Sequence, residues 1–311
     1  MRRLPVLLAL LGIAVAAALV LRFDAGDVFR ATFSIGWPGA ALLLAVQGGL
    51  FCVLGLAWAT VQPDIRPALL VWGRMVRDAA TTCLPFSPVG GYLLGIRAVV
   101  LRGPAWPIAA AGTIVDVTAE ITAQLLFALL GIATLLVLHR VDDLVLPVGL
   151  GLLIALALLI LGLSRRGRIG AGIGTLATRL LGPRAQQAPL LGQEAQRLYA
   201  NRRRLAAAIA IHLCGWLITG VATWLSLHLL GQDFAIVPIL ALEAVLDAVV
   251  AVAFIVPGAI GVQEAGYVGL GTMFGIPPDL ALGASLLRRA REVSWGLPIL
   301  ALWQWQEFRR L

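Results

Sequence analysis

The chain has 311 residues, of which 60% are hydrophobic and 13% charged, with a mean hydropathy of +0.94 and a formal net charge of +8. Roughly a quarter of residues are charged in a soluble globular domain, so this composition excludes one and describes a polytopic membrane protein. All 24 basic residues are arginine; with no lysine there is no Walker loop for ATP and no Schiff base, so energy must come from a gradient, a partner or the substrate.

Crossing a hydrocarbon core of roughly 30 Å takes about 20 apolar residues of helix. On that criterion the fold class is all-α: a membrane helix bundle of about eight spans, forming one integral membrane domain over residues 1–311. The first span, 4–21, follows Arg2 and Arg3 but runs on to Val20 without a small-residue cleavage site, so it reads as a helix rather than a signal peptide. The second is predicted at 38–59. After it, CLPFSPVGGYLLGIR at 83–97 is interrupted by Pro85, Pro88, Gly90 and Gly91 before reaching Arg97. Proline removes a backbone donor and glycine loosens a helix, which predicts a re-entrant hairpin or broken helix. Unwound backbone at membrane depth is tolerated only inside protein or beside a watery cavity.

The third span, 107–137, places Thr113, Asp116, Glu120 and Gln124 three or four apart on one face. A fourth follows at 146–163, then a basic cytoplasmic loop at 164–204 ending in Arg202, Arg203 and Arg204. That loop reads first as a topology anchor and second as a dock for anionic headgroups. The fifth span, 205–230, holds His212 and His228, single histidines that read as core or interfacial. The sixth, 236–256, repeats the acidic face with Glu243 and Asp247. FIVPGAIGVQEAG at 254–266 is a second break, with Pro257, Gly258 and Gly261 ahead of Glu264, and 258–275 is the seventh predicted span. In the eighth, 281–304, Ser285, Arg288 and Glu292 share a face while Arg291 and Arg289 fall to its side. Trp303 and Trp305 read as an aromatic belt. Cys52, Cys83 and Cys214 lack the paired spacings of zinc or redox sites and read as buried small hydrophobes. No metal, cofactor or nucleic-acid partner is expected.

With the N-terminus inside, 18 arginines fall in cytoplasmic segments, three (Arg22, Arg30 and Arg140) in outer ones and three in the last span. This bias predicts a multi-pass protein of the bacterial inner membrane with both termini cytoplasmic. A charged side chain at the bilayer centre costs roughly 2.5–3.5 kcal/mol even on lenient scales, so the buried charges must face a bundle interior, a water-filled cavity or a ligand. They either pair with one another to hold the bundle or serve a substrate. In the second case arginine offers a planar fork for a lipid phosphate, while the carboxylates receive a cationic headgroup or carry protons. Each break is followed by a proline-led restart and a charged helix, Pro104 and Pro107 before Asp116, Pro277 and Pro278 before Arg288. Such paired interrupted segments point to an internal pseudo-repeat with a transport site at the midplane.

VPGAIGVQEAG at 256–266, followed by ASLLRRAREV at 284–293, resembles the signature of the lysylphosphatidylglycerol synthase transmembrane, or flippase-like, domain family. LPFSPVGGYLLGIR (84–97) and TIVDVTAEITAQ (113–124) are most similar to its hopanoid-associated HpnL branch. The resemblance implies a domain that moves a polar-headed lipid between leaflets, with Pro257, Gly258, Gly261, Glu264, Arg288 and Arg291 at the motif positions. Ala259 stands where many relatives have a second glycine. Full synthases of that family add a soluble transferase domain; only Glu307 to Leu311 follow the last span here, so the chain is expected not to be an enzyme. Two other readings compete: an accessory subunit for lipid-biosynthesis enzymes, and a membrane-embedded lipid phosphatase. The phosphatase is the weaker one, because Ser87 has no carboxylate or histidine nearby in sequence to activate it.

Overall fold

The computed structural model describes residues 34–84, 88–138, 145–164, 187–253 and 256–309. The predicted first span, the tip of the first break at 85–87 and residues 165–186 of the basic loop lie outside them. The described helices, in chain order, are α1 (Gly36–Val61), α2 (Pro67–Cys83), α3 (Pro88–Val100), α4 (Trp106–Val137), α5 (Val145–Ser164), α6 (Ala188–Ala200), α7 (Arg202–Leu229), α8 (Ile236–Val252), α9 (Val262–Met273) and α10 (Pro278–Phe308). No strand occurs among the described residues. Proline in the first turn starts α2, α4, α6 and α10, where its fixed φ suits the helix and its missing N–H is no loss.

Helices α1, α4 and α7 are long and apolar enough to cross a membrane. With 31 residues α10 has the length, about 46 Å at 1.5 Å per residue, but carries the charges at 288–292. Two expectations change. The spans predicted at 236–256 and 258–275 are not two crossings of full length. Instead α8 stops at Val252, Pro257–Ala259 makes a 3₁₀ turn, and α9 is only 12 residues. The turn is left-handed, with φ of 59° at Gly258, 47° at Ala259 and 81° at Gly261, which no continuous helix accommodates. The second change lies at 60–106, read from sequence as a cytoplasmic loop with one broken segment. It contains the complete helix α2, packed on α1, α3 and α10.

The chain is built from two halves of matching design. The helices of the first, α1 to α4, have 26, 17, 13 and 32 residues. Those of the second, α7 to α10, have 28, 17, 12 and 31. The packing corresponds as well: α2 lies on α3 as α8 lies on α9, α3 on α4 as α9 on α10, and across the halves α2 meets α10 as α8 meets α4. Each half thus holds a pair of short arms, α2–α3 or α8–α9, joined by a break. The arms of the first are pressed together at Gly91, where a Cβ would collide with Thr81 Oγ1. The breaks themselves meet, since a Cβ on Gly258 would stand 3.2 Å from the Thr82 carbonyl oxygen. Linking the halves, α5 packs on α4, and so does the amphipathic α6, which buries Leu191, Ala195 and Leu198.

Ala259 keeps a left-handed backbone without being glycine. An Ala259→Gly variant is expected to be more stable by about 0.5–1 kcal/mol, because relief of left-handed strain exceeds the added freedom of the unfolded chain. Denaturation of the purified protein in detergent, read by tryptophan fluorescence, checks it.

Candidate functional site

Two buried ion clusters sit in corresponding places. In the first half, the α2 arm presents Arg74, Arg77 and Asp78, and the long helix α4 presents Asp116 and Glu120. Arg74 donates from Nε to Asp78 at 2.7 Å and from Nη2 to Glu120 at 2.7 Å. Arg77 donates to Asp116 Oδ2 at 3.1 Å and also to Glu120, while its guanidinium lies 4.3 Å from the centre of the Tyr92 ring. Asp116, fully buried, is reached on its other oxygen by His212 Nε2 of α7 at 2.9 Å.

In the second half the signs are exchanged at one pair of positions, one on the arm and one on the long helix, and the acidic residues one turn further on are kept. The α8 arm presents Glu243 and Asp247, and α10 presents Arg288, which bonds Glu243, Asp247 at 3.1 Å and Glu292 at 3.2 Å. Glu243 also accepts from Thr223 at 2.8 Å and Tyr267 at 2.9 Å. The register coincides: Arg74 and Glu243 are each the eighth residue of their helix, Asp78 and Asp247 the twelfth. Asp116 and Arg288 are each the eleventh, Glu120 and Glu292 the fifteenth.

Between the clusters lies a cavity of about 260 Å³ lined from both halves, by Gln47 of α1, Arg74 and Asp78 of α2, Thr219 of α7, and Arg288, Arg291 and Glu292 of α10 among others. Each arginine of the two clusters, Arg74, Arg77 and Arg288, has a carboxylate partner. Arg291 has none: it is only 4% exposed, and no hydrogen bond or ion pair reaches it among the described residues. Two more polar atoms on this lining are buried without a hydrogen bond, Gln47 Oε1 and Arg74 Nη1. A buried cation without a counter-charge is strongly disfavoured unless something polar arrives to meet it. The cavity is therefore equipped for an anion or for ordered water.

A family profile described as the lysylphosphatidylglycerol synthase TM region matches residues 8–300. The chain belongs to this family. No curated protein and no solved structure matched it.

The geometry divides the predicted site residues between Pro257 and Glu292 into two groups. Arg288, Arg291 and Glu292 reach the cavity, whereas the residues of the break shape the backbone. Glu264 accepts from the Gly261 N–H at 2.7 Å, capping α9, and from Arg289 at 2.8 Å, while Arg289 also donates to the Gly258 carbonyl at 3.1 Å. Pro257, Gly258 and Gly261 form the left-handed turn that this pair pins. Asp116, Glu120, Glu243 and Asp247 face inward, as the polar stripes predict, but onto guanidiniums of the same half. Pro88 opens α3, Gly90 and Gly91 belong to its first turn, and Arg97 is 47% exposed and bonded to Glu307 at 2.6 Å, away from the cavity. Arg291, placed to the side of the polar face, lines the same cavity as Arg288. One reading is corrected. Cys52 and Cys214 are exposed on the outer faces of their helices rather than buried.

Arg74, Arg77 and Asp78 are the functional residues that the sequence reading missed, because they lie in the stretch assigned to a loop. The signal was present: R-x-x-R-D at 74–78 repeats R-x-x-R-E at 288–292.

The two arginines of α10 are expected to behave oppositely. Arg288→Ala strands Glu243 and Asp247 in the interior and is expected to cost about 3–5 kcal/mol. Arg291→Ala strands no carboxylate and is expected to change stability by less than about 1 kcal/mol. Thermal unfolding of both purified variants in one detergent measures the contrast.

Proposed function

We propose that this protein is a lipid translocator of the bacterial inner membrane, which carries a phosphate-bearing headgroup through the cavity between its halves while the acyl or isoprenoid tail stays in the bilayer. The observation that carries this reading is Arg291, a buried guanidinium with no carboxylate partner among the described residues, on a cavity lined by both halves. Arginine presents a rigid fork of donors matched to phosphate. At about 260 Å³ the space falls below the roughly 300–1,000 Å³ of pockets that enclose whole drug-sized ligands. It suits a headgroup and leaves the tail outside.

The halves support a route as well as a site. With α1, α4 and α5 each crossing once and the α2–α3 arms returning to their own side, α7 runs opposite to α1. The repeat is then inverted, with one pair of arms entering from the cytoplasm and the other from outside, and both termini cytoplasmic. In transporters of inverted repeats, interrupted helices line a midplane site that the halves expose alternately. The protein needs no catalytic step for this. Of the cavity's hydroxyls, Thr81 and Thr219 donate to carbonyls of their own helices, Arg77 O and Gly215 O, rather than to a base. The similarity to the hopanoid-associated branch makes a phosphate-free isoprenoid the competing cargo; the free guanidinium favours the phosphate. Lipid-biosynthesis enzymes would supply that cargo as partners.

Reconstitution into vesicles carrying head-labelled phospholipid, with a membrane-impermeant quencher outside, tests the reading. Wild-type protein is expected to expose inner-leaflet label to the quencher, and Arg291→Gln to slow that exposure at least about tenfold, the effect of losing roughly 1.4 kcal/mol of headgroup interaction. Equal rates for the two proteins, or movement of a phosphate-free hopanoid in preference, would refute a phosphate site. A loss caused instead by neutralising Arg202, Arg203 and Arg204 would favour an accessory role.

A further inference from the structure

Each ion cluster joins an arm to the long helix of its own half, so neither opposes a shift of one half against the other. Few polar contacts cross between the halves among the described residues. Trp295 donates to the Leu44 carbonyl and Gln124 to the Asp247 carbonyl, and both contacts are uncharged. Arg97 and Glu307 pair at an exposed end. Only His212 with Asp116 is both buried and ionisable: the two are fully buried, 2.9 Å apart, one on α7 and the other on α4.

We propose that the His212–Asp116 pair is a proton-binding site between the halves, and that the proton it takes up is co-transported with the lipid headgroup. The second clause rests on the translocator reading; the first does not. An ionised carboxylate can only accept, so in the neutral imidazole the proton sits on Nε2 and points at Asp116. That leaves Nδ1 as an acceptor, buried and without a hydrogen-bond partner among the described residues. A proton arriving there turns a hydrogen bond to a carboxylate into an imidazolium–carboxylate pair, with no other bond made or broken.

The surrounding charges ask for that proton. From α2 come Arg74, Arg77 and Asp78, and from α4 Asp116 and Glu120: three carboxylates against two guanidiniums, an excess of one negative charge in a buried cluster. The α3 arm adds only Tyr92, against Arg77. Helix α1 brings no charged side chain. Across the cavity α10 brings Arg288, Arg291 and Glu292, and Glu243 and Asp247 of α8 are held by Arg288. A phosphate at Arg291 would add negative charge to the cavity that Arg74 and Asp78 of this cluster line, so proton and phosphate each favour the other's binding, as linkage requires.

The chain has three histidines, so replacing His139 and His228 by glutamine leaves one imidazole to observe. In ¹⁵N-histidine NMR of that protein in nanodiscs, Nδ1 of His212 is expected to take up a single proton within the pH range over which the protein stays folded. The curve should shift when inorganic phosphate is added, and the phosphate-induced shift should vanish in Arg291→Gln. An imidazole that stays neutral over that range overturns the proton site, whatever the cargo. A curve that ignores phosphate overturns the coupling. In vesicles with a pH difference of one unit, coupling of one proton per lipid is expected to bias the lipid about tenfold between leaflets. His212→Gln should abolish the bias. A bias that survives in a folded, monodisperse His212→Gln protein rejects co-transport through this residue. Lipid that moves without any bias in wild type rejects it while leaving the translocator standing.

Discussion

Arginine shared between carboxylates of two helices is the interaction on which the molecule depends. The arms α2, α3, α8 and α9 have 17, 13, 17 and 12 residues, too few for most of them to bridge a bilayer alone. They end in breaks whose backbone groups need protein around them. Arg74 and Arg77 fasten α2 to α4, and Arg288 fastens α8 to α10. Charges this deep are tolerable because they are paired and hydrogen-bonded, and the pairing brings the two breaks to the same level, where they touch.

Much of this was legible in the sequence, and the part that was not failed for a definable reason. Acidic residues in the apolar stretches at 116–120 and 243–247 stood out, because charge inside a hydrophobic run has few explanations. The two breaks stood out because proline and glycine clusters do. Helix α2 did not: Arg74, Arg77 and Asp78 lower its mean hydropathy, so a reading by apolar runs placed it in a loop, and its arginines were counted as topology anchors. A hydropathy scale weighs each residue alone, while these charges are acceptable only as members of pairs whose partners lie about 40 residues away. Arg291 stood out as charge in the last apolar stretch and as a motif position. Its position relative to Arg288 suggested another face, and only the cavity joining the halves puts both on one surface. Glu264, legible in the sequence as the acidic residue just past the second break, accepts from the Gly261 N–H and so caps α9.

The matching register of the halves gives the ion clusters a meaning beyond stability. Where the first half carries Arg74 against Asp116, the second carries Glu243 against Arg288 at the same helical positions, so the design is kept while the sign is reversed. Such an exchange preserves pairing within each half and gives the two walls of the shared cavity different chemistry. Arg77 is held by Asp116 and Glu120, whereas Arg291, at the same place in the repeated R-x-x-R motif, meets no carboxylate among the described residues. Asymmetry of this kind is what a symmetric scaffold needs to bind a ligand that is itself asymmetric.

The absence of lysine also acquires a local cause. Across a GC-rich genome arginine for lysine is a matter of codons, and at Arg202, Arg203 and Arg204 on the surface nothing in the contacts distinguishes one from the other. Arg74 reaches one carboxylate through Nε and another through Nη2, and Arg288 spans three acidic side chains through three different nitrogens. An ammonium group, with its donors on a single atom, cannot straddle them. A version of this chain rewritten with lysine throughout would keep its hydropathy profile and its net charge, yet lose the geometry that fastens the arms.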